Sequence, residues 1–117
     1  MPKYAVLIYR LEAEQPEQGT PASQQLYQAW GRFNQDVANA GVMSSGTGLQ
    51  SSATATSVRV RDGKTLITDG PFAETREQLG GVLVFDCKDL DEAIIWASKV
   101  PDAQNGCIEL RPLWEQT

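Results

Sequence analysis

Two short runs of this chain are apolar on both faces, and they constrain the fold more than any other feature. Residues 4–9, Tyr-Ala-Val-Leu-Ile-Tyr, lie between Lys3 and Arg10. Read as a strand, with successive side chains on opposite faces, Tyr4, Val6 and Ile8 point one way and Ala5, Leu7 and Tyr9 the other. In the second buried strand, Val82–Cys87, the stretch Val82–Phe85 reads the same way. Continuous apolar runs of this kind belong to strands covered on both sides. Any fold for this chain must supply two covers.

One cover is legible as helices. Leu26, Trp30, Phe33 and Val37 recur at spacings of four, three and four, which places them on one helical stripe. Thr20 is an N-cap residue, Pro21 suits the first helical position, and Gly41 suits the left-handed residue past the end. A second helix is capped by Asp89, with Glu92 as its capping-box partner. Leu90, Ala93, Ile94 and Ala97 form its expected apolar face, and Pro101 ends it. The remaining segments are extended. Val42–Leu49 reads as a strand weakened by Gly46 and Gly48. Val58 and Val60 alternate with Arg59 and Arg61, and Asp62-Gly63 supplies a type I′ turn into Lys64–Thr68. This pairs Val60 with Thr65 and Val58 with Ile67. Ile108 and Leu110 alternate with Glu109 and Arg111 in a last strand before Pro112. Residues 69–78 begin with a turn and have room for one helical turn.

The resulting order is an α+β, ferredoxin-like βαββαβ arrangement with an inserted β-hairpin, in a single domain over residues 1–117. Two helices cover one face of such a sheet. No element of the chain is left for the other face. A second copy, docked by a two-fold self-complementary interface, is the simplest cover, so a homodimer is expected.

Composition excludes several function classes. The net charge is −5, and the ten basic residues are scattered without a run. Nucleic acid and anionic membrane surfaces, which demand clustered Lys and Arg, are not expected partners. No stretch reaches the roughly 20 apolar residues of a spanning helix, and the expected location is cytoplasmic. Cys87 and Cys107, with no CxxC pattern, read as reduced core residues. Histidine is absent. That removes the commonest acid–base side chain near neutral pH and the usual nitrogen ligand of transition metals. No metal and no cofactor is expected.

The most distinctive string is Asp69-Gly70-Pro71-Phe72-Ala73-Glu74-Thr75-Arg76-Glu77. It resembles the signature of the DGPF branch of the YCII-related family. Gly48-Leu49-Gln50, Ser52-Ala53-Thr54, Val58-Arg59, Gln78-Leu79-Gly80-Gly81 and Asp89–Trp96 resemble that family too, so the likeness runs over nearly the whole chain. It implies a dimeric α+β barrel, two ferredoxin-like sheets packed face to face. That agrees with the argument from the apolar faces. For function it implies a regulatory setting near extracytoplasmic-function sigma factors, or small enzymes such as a dehydrochlorinase of aromatic degradation using a His–Asp pair. Asp69 matches the aspartate of the motif, but a chain without histidine has no imidazole partner for it.

The motif supplies the candidate site residues. Asp69 is a candidate catalytic base or acceptor for a ligand hydroxyl, and equally the first residue of an Asx-type turn. Arg76 suits a bidentate grip on a carboxylate, or surface pairing with Glu74 and Glu77. Phe72 and Trp30 suit the core, with Phe72 also a candidate ligand contact, and Tyr9 faces a partner sheet or a cleft. Three functions compete. The first is a dimer binding a small organic molecule in a cleft between sheet and helices lined by Tyr9, Asp69, Phe72 and Glu74. The second is a lyase, isomerase or dehydrochlorinase-like enzyme in which Asp69 moves a proton and Arg76 orients an anion. The third is a regulatory partner of a sigma factor.

Overall fold

The structure, a computed structural model, describes residues 2–114. In chain order these form β1 (Lys3–Arg10), α1 (Pro21–Ala40), β2 (Met43–Gly48), β3 (Thr56–Arg61), β4 (Lys64–Asp69), β5 (Gln78–Asp86), α2 (Leu90–Ala97) and β6 (Cys107–Pro112). Short 3₁₀ turns lie at Glu12–Glu14, Ser52–Thr54 and Pro101–Ala103. The strands β2-β5-β1-β6 make one antiparallel sheet, and β3-β4 a separate hairpin. This is the ferredoxin-like α+β arrangement with the hairpin inserted between β2 and β5.

The local signals act as their chemistry dictates. The Thr20 hydroxyl oxygen accepts from the Ser23 amide at 3.3 Å, Pro21 opens α1, and Gly41 ends it at φ 69°. The Asp89 carboxylate accepts from the Glu92 amide at 2.9 Å, while the Glu92 carboxylate takes the Lys88 amide at 3.0 Å. Asp62 and Gly63 have φ of 52° and 73°. Both central residues of a type I′ turn need that left-handed backbone, which is why the Asp-Gly pair sets the hairpin register. Val58 pairs with Ile67 and Val60 with Thr65.

The core lies between one face of the sheet and the helices. Tyr4, Val6 and Ile8 of β1 and Leu83 and Phe85 of β5 meet Phe33 and Val37 of α1 and Ala93 of α2. Phe33 bridges Trp30, edge to face at 5.7 Å, and Phe85 at 6.4 Å. The opposite face of β1 and β5 carries Ala5, Leu7, Tyr9, Val82 and Val84, all half-buried. Its outer strands contribute Ser45, Thr47, Glu109 and Arg111, the residues paired with Val84, Val82, Leu7 and Ala5. Among the described residues no helix covers this face. The molecule is accordingly flat, with extents of 48 × 47 × 19 Å.

Four sequence-based expectations are corrected. Phe72 is not a core residue but 79% exposed. Cys107 is exposed, because its position opposite Tyr9 on the edge strand β6 puts it on the uncovered face. Leu90 and Ile94 are about half exposed, because α2 packs through Ala93 and Ala97 with Trp96 against the core. Residues 69–78 hold no helical turn; the segment after β4 is irregular until β5 begins at Gln78.

Cys87 is fully buried at the end of β5, and burial together with the carboxylate of Glu92 pushes its thiol up to about 11. Since the thiolate is the reactive form, thiol reagents near neutral pH should leave Cys87 untouched in the folded protein. They should modify it after denaturation, as read by peptide mass spectrometry. Modification of Cys87 at comparable rates in both states would contradict this packing.

Candidate functional site

At one end of the sheet the chain builds a cleft of about 890 Å³ on the face that the helices do not cover. Its floor is Tyr9 of β1 and Leu79 of β5, which are paired across the two strands. One wall is the segment 49–57 and the other is residues 71–75 of the motif, with Phe72 and Glu74.

The walls are loops, and specific polar contacts position them. The Glu12 carboxylate, just past β1, accepts from both the Ser52 amide and the Ser52 hydroxyl at 2.7 Å each. The Glu12 amide donates to the Gln78 side-chain oxygen at 3.0 Å. The Gln78 amide nitrogen donates in turn to the carbonyls of Thr75 and Arg76, at 2.7 and 3.3 Å. One glutamine therefore ties the first turn after β1 to the end of the motif loop. On the far side Gly70, at φ 100°, donates its N–H to Ala55 and accepts at its carbonyl from the Ser57 hydroxyl, both at 2.7 Å. A side chain at Gly70 would be strained by that backbone. Here the motif glycine has a clear task, holding the loop against the other wall.

The structure brings Tyr9, Phe72 and Glu74 together in this cleft. It leaves Asp69 and Arg76 out. Asp69 is exposed at the end of β4, opposite Thr56, and its carboxylate has no hydrogen bond among the described residues, so the Asx-type turn is not formed. Arg76 is exposed, and the ion pairs among the described residues, Arg10–Asp102 and Arg111–Glu109, do not include it. The expected pairing with Glu74 and Glu77 is absent. The cleft also lies on the other side of the sheet from the helices, not between sheet and helices. Its charged lining residues are Glu12 and Glu74, both acidic. Among the described residues no group of three or more His, Cys, Asp or Glu side chains is placed to hold a metal ion. No described helix is long and apolar enough to cross a membrane.

With this geometry in hand, the comparisons with known proteins give the family. The model of the YCII-related domain matches residues 2–117. The chain belongs to the YCII-related family. It is also 33% identical over 112 residues to an uncharacterized protein of Rhizobium meliloti (strain 1021), a match covering 94% of this chain and 90% of the relative. The family match thus spans nearly the whole chain, and among the described residues the cleft is built by loops beside the sheet.

Sequence reasoning missed Glu12, Ser52 and Gln78. Their partners lie 40 and 66 residues apart in the chain, so no local pattern announces them. Replacing Glu12 by Ala should cost about 1–2 kcal/mol, since it removes a charged acceptor of two partly buried bonds. Urea denaturation would measure that loss, and limited proteolysis should cut the 49–57 segment faster. Unchanged stability and cleavage would show that the Glu12–Ser52 contact does not hold the wall.

Proposed function

We propose that this YCII-related protein is a homodimer that binds a small organic molecule in the cleft beside the motif. The ligand is neutral or carries an amine. The supporting observation is the lining of the cleft: an aromatic and aliphatic surface from Tyr9, Phe72 and Leu79 whose charged groups, Glu12 and Glu74, are both carboxylates. The volume of about 890 Å³ lies in the range of sites for metabolite-sized ligands. A carboxylate disfavours an anion and accepts from hydroxyl or ammonium donors. Phe72, so largely exposed, is an apolar group ready for a ligand to cover. Glu12 is engaged with Ser52, which leaves Glu74 as the free acceptor.

The enzyme reading needs Asp69 and Arg76 at the ligand, and neither lines the cleft. Binding is therefore the better-supported activity. A screen of amines, phenols and neutral aromatics by thermal shift should yield a saturable hit. A ligand at about 100 times its Kd adds roughly 2.7 kcal/mol of stability. The shift should be lost in Phe72→Ala and Glu74→Gln and kept in Asp69→Asn. A hit lost in Asp69→Asn and kept in Phe72→Ala would move the site to the hairpin end and reinstate the catalytic reading.

The dimer reading rests on the uncovered sheet face. Leu7, Val82 and Val84 form its apolar centre, with Glu109 and Arg111 at its margin. A contiguous apolar patch rimmed by polar groups is the usual mark of a protein interface. Sedimentation velocity should give a dimer for the wild type and a monomer for Val84→Asp, which places a charge at the centre of that patch. A folded wild-type monomer at micromolar concentration would reject the dimer.

A further inference from the structure

A second cleft, of about 610 Å³, lies on the opposite face of the sheet, between α1 and the β2–β5 edge. Its walls include Trp30 and Val37 of α1, Met43 of β2 and Leu83 of β5. The single charged residue lining it is Arg10. Arg10 continues the series Tyr4, Val6, Ile8 on the helix-covered face, so it is a cation at a position that is otherwise core. Its Nη2 donates to the buried carboxylate of Asp102 at 2.8 Å. A guanidinium has five N–H donors. The Arg10 Nε is closed off from water and has no acceptor among the described residues. Burial holds the Asp102 carboxyl above its ordinary value against the pull of Arg10, so the pair does not fully offset its own desolvation.

Glycines make room for this arrangement. A Cβ on Gly80 would meet the Arg10 Nε at 2.5 Å, so any side chain there would displace the guanidinium. A Cβ on Gly48, which also lines the cleft, would meet nothing within 4 Å. The cleft wall is open at that point.

We propose that this cleft binds a small aromatic or aliphatic carboxylate, with its apolar body against the Trp30 side and its carboxylate on the part of the Arg10 guanidinium that Asp102 leaves free. Charge complementarity commits the site to this class. An under-paired cation beside apolar walls, with no lining carboxylate, favours an anion with a hydrophobic body. The site is distinct from the motif cleft, which carries Glu12 and Glu74 and favours the opposite charge.

Calorimetric titration with 1-naphthoate and with 1-naphthamide tests this directly. The carboxylate should bind saturably to the wild type, and the amide about tenfold more weakly or worse, about 1.4 kcal/mol of discrimination. Gly48→Leu fills the open wall and leaves the Arg10–Asp102 pair intact, so it should weaken the carboxylate about tenfold or more. Arg10→Lys should weaken it too, by loss of the planar fork. Should Arg10→Lys fail to fold, Gly48→Leu decides the matter. Phe72→Ala, in the other cleft, should leave the affinity unchanged. No saturable binding of the carboxylate, equal binding of the amide, or loss in Phe72→Ala with retention in Gly48→Leu would each overturn the proposal.

Discussion

The pairing of β1 with β5 governs the rest of this molecule, and its one irregularity lies where the clefts are. The two strands run in register from Lys3 opposite Asp86 to Ile8 opposite Gly81, then slip so that Tyr9 faces Leu79 and Gly80 is left over. An extra residue on one strand of an antiparallel pair bends that strand and re-aims its neighbours. At this end Tyr9 contributes to the cleft on the uncovered face, and Arg10, the next residue, to the cleft under α1. Alternation along β1 thus sets two chemically different clefts back to back, beside the slip that leaves Gly80 unpaired. The Arg10 guanidinium occupies the space that the missing side chain of Gly80 leaves.

Electrostatics separates the two clefts more than shape does. One is lined by two carboxylates and no cation, the other by one guanidinium and no carboxylate. In a chain of net charge −5, the positive spot under α1 is a local exception. It persists because Asp102, brought from 92 residues away, accepts a hydrogen bond from the guanidinium and offsets part of its charge. Breaking a buried pair from one side leaves an uncompensated charge, which is far more destabilising than the intact pair is stabilising. The pair is best understood as a holder for the guanidinium, not as a source of stability.

The elements were legible wherever a local signal carried the physics. Thr20, Pro21 and Gly41 bounded α1 because caps and left-handed residues act within one turn of the chain. Asp62-Gly63 set the hairpin register because two positive φ values admit few residues. The failures were failures of side assignment. Phe72 and Cys107 are apolar residues in structured segments, and composition alone placed them inside. Phe72 stands on a cleft wall and Cys107 on an uncovered face, and neither face had a name until the strands were paired. Leu90 and Ile94 failed differently: α2 presents its smaller residues to the core, because Ala93 and Ala97 let the helix approach closely.

The motif shows the same division. Its glycine and phenylalanine have structural positions that explain them, while its aspartate and arginine, the residues with the most chemistry, point to solvent. A list of reactive side chains could not foresee this, since a nine-residue string says nothing about which members face a common space. By itself the sequence determined the strands, the limits of α1, the start of α2, the hairpin and the α+β order, because each depends on periodicity, caps and turns within a few residues; α2, expected to run to Pro101, ends at Ala97. Only the tertiary structure decided which side chains share a cleft. That depends on contacts such as Glu12 with Ser52, Gln78 with Glu12 and Arg10 with Asp102, made across 40, 66 and 92 residues of chain, where no local pattern reaches.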